Sequence, residues 1–387
     1  MAITQMIKKL ILMCSVVNFI GCATFADRWL NDVTLEPPYS TTAEAQALHQ
    51  TLNIVDLHAD PLLWERDLLT RNARGHVDLP RLQDGHVALQ VFGVVTGVPF
   101  PINLEGNSDD GDIITLLASS QNWPETTHDS RLQRALYQAR KLEDRVTASN
   151  GAMQIILNRH DLDGLMEKRQ RDELVIGALL SLEGAHALEG KPENINILYD
   201  AGFRMLGLVH LFDNDMAGSA HGVEKHGLTD NGRVMLTRAL SLGMVIDLAH
   251  ASSQTLDEVL EIVDRPVMAS HGGVRGTCDT ARNLSDPQIR GIAATGGVIG
   301  IGIYKYATCG KTMEDTVRAI QHVVNLVGIK HVALGSDFDG ATETVVDATG
   351  LVLLTEALQK AGFTDNEIKA IMGENALRVL HKTLPAN

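Results

Sequence analysis

Eight short apolar runs, separated by longer amphipathic segments, set the tightest limit on how this chain can fold. They are Ile54–His58, Val87–Val95, Leu174–Leu182, Phe203–His210, Met244–His250, Pro266–His271, Gly297–Tyr304 and His331–Asp337. Several are rich in β-branched residues and nearly continuous, as expected for strands buried on both faces of a parallel sheet. The segments between them carry a helical period, for example Thr255–Val263, Asp286–Ala294 and Met313–Leu326. Strand and helix alternating eight times predict an α/β fold of the (β/α)8 barrel type. An open doubly wound sheet could use the same eight strands, but no glycine-rich dinucleotide fingerprint accompanies them. The longest gap, Thr96 to Asp172, holds helical patterns from Ile113 to Arg145 and from Leu157 to Arg169. These read as extra helices inserted after the second strand of a single domain, 43–387. Asp365–Leu380 reads as a closing helix.

The polar residues fall where a barrel would use them. Six of the eight runs close on a His, Asp or Glu: His58 with Asp60, Glu183, His210, His250, His271, and Asp337 with Asp339. The C-terminal ends of barrel strands converge on one mouth, where active sites are built. Each residue alone is weak evidence, since a lone Asp after a strand is usually a helix cap and a lone His usually a hydrogen-bonded loop residue. Their recurrence at the same structural position is what counts. Carboxylates and neutral imidazoles gathered in a cleft suit a divalent ion, Zn²⁺ above all. His58 and Asp60, two apart in an extended segment, project to the same side and can hold one ion together.

The N-terminus reads as an export segment. Lys8 and Lys9 precede a mostly apolar stretch, Leu10 to Ile20, too short to span a bilayer. The ending Phe19-Ile20-Gly21-Cys22 resembles a bacterial lipobox, which makes Cys22 a lipidation site and residues 1–22 the signal. Plain cleavage after Ala23 or Ala26 is the alternative. With Ala23 following the Cys, the resemblance implies an outer-membrane lipoprotein of the cell envelope, bound to the membrane by its lipid only. Residues 23–42, with Pro37 and Pro38, read as a tether. Formal net charge is −15, or about −17 once the two lysines leave with the signal, which argues against a nucleic-acid partner. Cys278 and Cys309 remain in the body. They either pair or stay reduced and buried.

The motifs together resemble a known family. His58-x-Asp60, Ser181-Leu182-Glu183-Gly184, Ile246-Asp247-Leu248-Ala249-His250, Ser270-His271, Ala281-Arg282-Asn283 and Gly335-Ser336-Asp337-Phe338-Asp339-Gly340 are similar to those of the membrane dipeptidase (renal dipeptidase) family. Its members are binuclear zinc peptidases on amidohydrolase-type barrels. Gly373-Glu374-Asn375-Ala376-Leu377-Arg378-Val379 resembles the C-terminal signature. The resemblance implies two Zn²⁺ per chain. His58 and Asp60 would bind the first, His250 and His271 the second, and Glu183 would bridge both. It places His210 over the substrate carbonyl, Arg282 on the terminal carboxylate with Tyr304 assisting, and Asp337 in proton transfer. The nucleophile would be a hydroxide shared by the two ions. His221 and His226 read as ordinary loop residues. A homodimer is also implied.

The expected activity is therefore hydrolysis of dipeptides, with a D-residue at the second position as one option. A related metal-dependent reaction on lactams or N-acyl amino acids would use the same site. A non-catalytic periplasmic binding protein on the same barrel is the alternative of another class.

Overall fold

The computed structural model describes residues 26–171 and 173–386. The expected export segment, with Cys14 and Cys22, lies outside the described residues.

Nine parallel strands form the sheet: β1 (Ile54–Ala59), β2 (Val87–Val95), β3 (Met153–Ile155), β4 (Ile176–Glu183), β5 (Phe203–Gly207), β6 (Val245–Asp247), β7 (Met268–Ala269), β8 (Val298–Ile301) and β9 (Val332–Leu334). Their order runs β2-β1-β9-β8-β7-β6-β5-β4, and a long β2–β4 pairing closes the ring. The result is the eight-stranded (β/α)8 barrel that the alternating runs predict. The strand absent from the sequence reading, β3, pairs beside the first residues of β4, below the point where β5 begins. It lies within the insertion after β2, which also supplies helices at Ile113–Ser120, Arg131–Ala148 and Arg159–Gln170.

Every residue of β1, β2 and β4 is buried, which is why these runs lack polar alternation. One apolar cluster takes Val55, Leu89, Leu179, Met205, Val245, Met268, Val298 and Ala333, one from each of the eight barrel strands, together with Val379 and Leu380 from the last helix. It fills the barrel interior beneath the mouth. A larger cluster lies between the strands and the surrounding helices, joining Ile54, Phe92, Leu180 and Leu206 to residues such as Leu256, Ile289 and Ile320.

Local sequence sets the helix limits. Helix Asp286–Ala294 starts at a Ser285/Gln288 capping box with Pro in its first turn, and Met313–Val327 at a Thr312/Asp315 box. The expected single helix at Asp365–Leu380 is instead Asp365–Lys369, a π-helical turn Ala370–Glu374, and Asn375–Thr383. There Gly373 lies so close to the Asn53 carbonyl that a Cβ would meet it at 1.9 Å. The widened turn lets the helix pack under β1 and β9.

The tether expected at 23–42 is corrected over residues 27–35. Residues 27–35 are docked on the mouth side of the barrel. Val33 bridges Thr344, and the amides of Thr34 and Leu35 donate to the carbonyls of Thr344 and Val345. A polar, proline-bearing segment reads as linker because its partners lie some 300 residues away in sequence.

Candidate metal centre at the barrel mouth

The site begins with an irregularity in β1. Val55 pairs with Leu89 and Ala59 with Phe92, so β1 carries one more residue than β2 over this stretch. The extra residue lets Leu57 belong to the barrel interior while His58 also turns inward. Strict alternation would have sent it to the helix side. His58 Nε2 and Asp60 Oδ2 lie 3.2 Å apart. Gly93 on β2 makes the room for them, since a Cβ there would meet Asp60 Oδ1 at 2.2 Å and His58 Cε1 at 2.7 Å. Sequence reasoning had no reason to single out Gly93.

Glu183, the last residue of β4, occupies the centre. Its Oε1 lies 3.2 Å from His250 Nε2, 3.5 Å from the Nε2 atoms of His58 and His210, and 3.6 Å from His271 Nε2. His210, His250 and His271 stand two or three residues beyond the ends of β5, β6 and β7, in loops rather than in the strands where the runs placed them. His250 and Asp337 have left-handed backbones, φ 64° and 63°. Such conformations are uncommon for residues with a side chain, and here they aim the side chains at the mouth.

The partners expected for each ion do not separate as the resemblance implied. Donor atoms cluster as His58, Glu183 and His271; as Glu183, His210 and His250; and as His58, Asp60 and Asp337. His210 therefore stands as near the centre as the expected ligands, and Asp337 adjoins His58 and Asp60. All nine site residues expected in the folded domain come to this one mouth.

These groups fit divalent metal. Four imidazole Nε2 atoms face one carboxylate oxygen, and His250 Nε2 and His271 Nε2 face each other at 3.0 Å. The buried Asp60 Oδ1 has no donor from the protein. Buried polar atoms without partners are costly, and a cation answers several of them at once. Protonation states agree for His250, His271 and Glu183. Burial and the Arg282 charge hold His250 well below the ordinary imidazole range, and burial and the charge of His58 do the same to His271, so both are neutral and able to ligate. Burial works against ionised Glu183, but His210 and His58 outweigh it and hold the carboxyl well below its usual value. Burial opposes a charged His58, yet Asp60 and Glu183 keep its pKa raised, so that a proton there competes with the metal that His58 would hold.

An outer layer fixes the orientation of these groups. Asp247 accepts the Ser270 hydroxyl at 2.5 Å and the Ser270 amide at 2.7 Å. The Ser270 oxygen lies 2.8 Å from His271 Nδ1. With its proton on Asp247, Ser270 accepts from Nδ1–H and leaves His271 Nε2 bare towards the centre. Asp56 repeats the arrangement across the barrel, accepting the Ser336 hydroxyl at 2.6 Å and the Gln90 amide at 2.9 Å.

Arg282 donates to the His271 carbonyl at 2.8 Å and forms no salt bridge with any carboxylate among the described residues. Its charge acts on His250, His271 and Asp337. Tyr304 is buried beside Asp337, and burial and that carboxylate both raise its pKa. Desolvation, reinforced by Asp60 and Glu183, pushes Asp337 up to about 7 against the opposing charges of His58 and Arg282. Cys278 and Cys309 are paired. The bridge ties the loop bearing Arg282 to the short helix that follows Tyr304. His221, expected to be an ordinary loop histidine, is buried with its ring 5.9 Å from that of His250.

The sequence compares accordingly. The model of the membrane dipeptidase family (peptidase family M19) matches residues 42–386. Dipeptidase aclJ of Aspergillus oryzae is 31% identical over 215 residues, 53% of this chain and 51% of that protein. Dipeptidase tcpJ of Claviceps purpurea is 25% identical over 351 residues, 88% of this chain and 77% of that one. Among solved structures, dipeptidase AC, a metallo peptidase of family M19, superposes with a TM-score of 0.69 at 25% identity over 86% of this chain and 99% of its own. A metallo peptidase from Rhodobacter sphaeroides, liganded with a phosphinate mimic of the dipeptide L-Ala-D-Ala, does so at 0.70 with 24% identity and the same coverage. The family match takes in every strand of the barrel and all nine site residues at its mouth, and the chain therefore belongs to the membrane dipeptidase family and is a metallo-dipeptidase.

Proposed function

We propose that this protein is an exported, zinc-dependent dipeptidase that holds two ions and accepts dipeptides with a D-residue at the second position. The observation that carries the reading is one carboxylate oxygen, Glu183 Oε1, ringed by four imidazole nitrogens within 3.6 Å, beside an arginine, Arg282, without an acidic partner among the described residues. His58, Asp60, Glu183, His250 and His271 would hold the metal. Bound divalent ions supply an acidified water and a Lewis acid for the peptide carbonyl.

The protein's own groups do the rest. Arg282 pairs with the substrate's terminal carboxylate. A longer peptide would put an uncharged amide there, so the pairing selects for dipeptides. His210 donates to the carbonyl oxygen as it gains charge. Asp337 takes a proton from the attacking water at its carboxylate and returns it to the leaving amine, a task that suits a group poised near neutrality. Tyr304, beside it, steadies that carboxylate. The D-residue option draws support from the L-Ala-D-Ala mimic bound by the Rhodobacter relative. Lipid on Cys22 would place the enzyme in the cell envelope, as a homodimer.

The test is metal content by mass spectrometry together with a panel of L,L and L,D dipeptides, N-acyl amino acids and β-lactams. About two zincs and chelator-sensitive cleavage of L,D dipeptides are expected. Cleavage of L,L dipeptides alone would reject the stereochemical reading, and metal-loaded protein cleaving only lactams or N-acyl amino acids would reject the substrate class. Substituting Cys22→Ser should release the protein from the membrane fraction, and unchanged membrane association would reject the lipid anchor.

A further inference from the structure

The family match begins at residue 42, yet the segment before it is tied to the turn that carries Asp337. Asp27 is only 1% exposed. Its Oδ2 lies 2.6 Å from Arg74 Nε and 3.3 Å from Arg66 Nε. Arg66 in turn pairs with Asp339 at 2.8 Å. Asn31 donates to Asp27 Oδ1 at 2.9 Å, and its own Oδ1 accepts the amide of Ala341 at 2.9 Å. The N-terminal segment thus grips the turn 337–341 at two points, Asp339 through Arg66 and Ala341 directly.

That turn needs holding. Asp337, Asp339 and Ala341 all have positive φ, 63°, 62° and 56°. Each such non-glycine residue costs of order 1 kcal/mol and persists only where its surroundings enforce it. The barrel supplies some of the restraint. Asp339 accepts the amides of His76 and Val77, and its carbonyl accepts the Trp64 indole N–H at 2.7 Å. The far side of the turn, at Ala341, is held by Asn31.

We propose that Asp27 and Asn31 are positioning residues for Asp337, so that the segment ahead of the family domain is part of this enzyme's active-site architecture. The proposal rests on the proton-transfer role of Asp337. It acts through the backbone of 337–341 and involves no contact of Asp27 or Asn31 with substrate.

The experiment compares wild type with Asp27→Ala and the milder Asn31→Ala in the whole processed chain. It measures dipeptide kcat and KM, zinc content, and hydrogen exchange of the Ala341 amide. Both variants should lose at least about tenfold in kcat, because small misplacements of a reacting group are costly. KM and zinc content should stay within about twofold of wild type, and the Ala341 amide should exchange at least about tenfold faster. Unchanged kcat in Asn31→Ala, or lost kcat with an unchanged Ala341 exchange rate, overturns the proposal. So does loss of zinc in parallel with activity, which would mark a general collapse. Asp337→Asn serves as the control. If it keeps full turnover, the role of Asp337 fails, while the exchange measurement still decides whether the segment holds the turn.

Discussion

Replacing Arg282 by Met keeps most of the side-chain stem and removes the charge. One guanidinium nitrogen is committed to the His271 carbonyl, and no acidic side chain among the described residues pairs with the others. A substrate carboxylate there gains a charge-assisted hydrogen bond worth about 1.5–3 kcal/mol. At about 1.4 kcal/mol per decade, its loss lowers kcat/KM for a dipeptide by about 10- to 150-fold. Arg282 also lowers the pKa of Asp337, so its removal lets that carboxyl hold a proton to higher pH. Assays at pH 8 keep this second effect small. The decisive comparison pairs a dipeptide with its C-terminal amide. Wild type should favour the free acid by a factor in the same range, and Arg282→Met should erase the preference while the amide reaction changes by less than about threefold. Equal losses on acid and amide would refute the carboxylate clamp and leave Arg282 a general electrostatic or structural role.

Three further outcomes follow from the same geometry. Asp337→Asn should retain metal and lose at least about 100-fold in turnover. In wild type the ionised carboxylate is the working form, so activity should rise with pH through a limb at or below about 7, nearby cations drawing it downward; undiminished turnover in the variant, or a rate that falls through that limb, would count against the base. Glu183→Gln should bind less than half the wild-type metal by mass spectrometry, because the charge at the centre of four imidazoles is gone, and full occupancy would refute its bridging place. Joint Cys278→Ser and Cys309→Ser substitution removes a bridge between residues 31 apart, a loss of about 4 kcal/mol on chain-entropy grounds. Urea unfolding should show a loss of that order and the dipeptide KM should rise as the Arg282 loop loosens; an unaltered KM would separate the bridge from the clamp.

Much of this protein was legible in its sequence. Strands buried on both faces write themselves as apolar runs; six of the eight barrel strands lie within the runs that predicted them, and β1 and β4 run one residue past, to Ala59 and Glu183. Barrel topology then sends the residues that close these runs to one mouth, which is why His58, Asp60, Glu183, His210, His250, His271 and Asp337 could be named together, while Arg282 and Tyr304 were implied by the family resemblance alone. Helix Asp286–Ala294 had its limits in the capping residues at its start. These are local or periodic properties, and a sequence carries them openly.

Other features depended on groups meeting across hundreds of residues. The extra residue in β1 that turns His58 inward exists only against the register of β2, and the space left by Gly93 only against His58 and Asp60. Whether Cys278 and Cys309 pair is a matter of distance between two loops. The grouping of His210 and Asp337 with the expected ligands, and the pKa of Asp337, come from burial and from charges that converge only in three dimensions. The segment 27–35 reads as a linker because its own composition is polar, while its order comes from Arg66, Arg74, Ala341 and Thr344. Periodicity and capping specified the barrel and its mouth; the folded chain alone decided how the mouth is held.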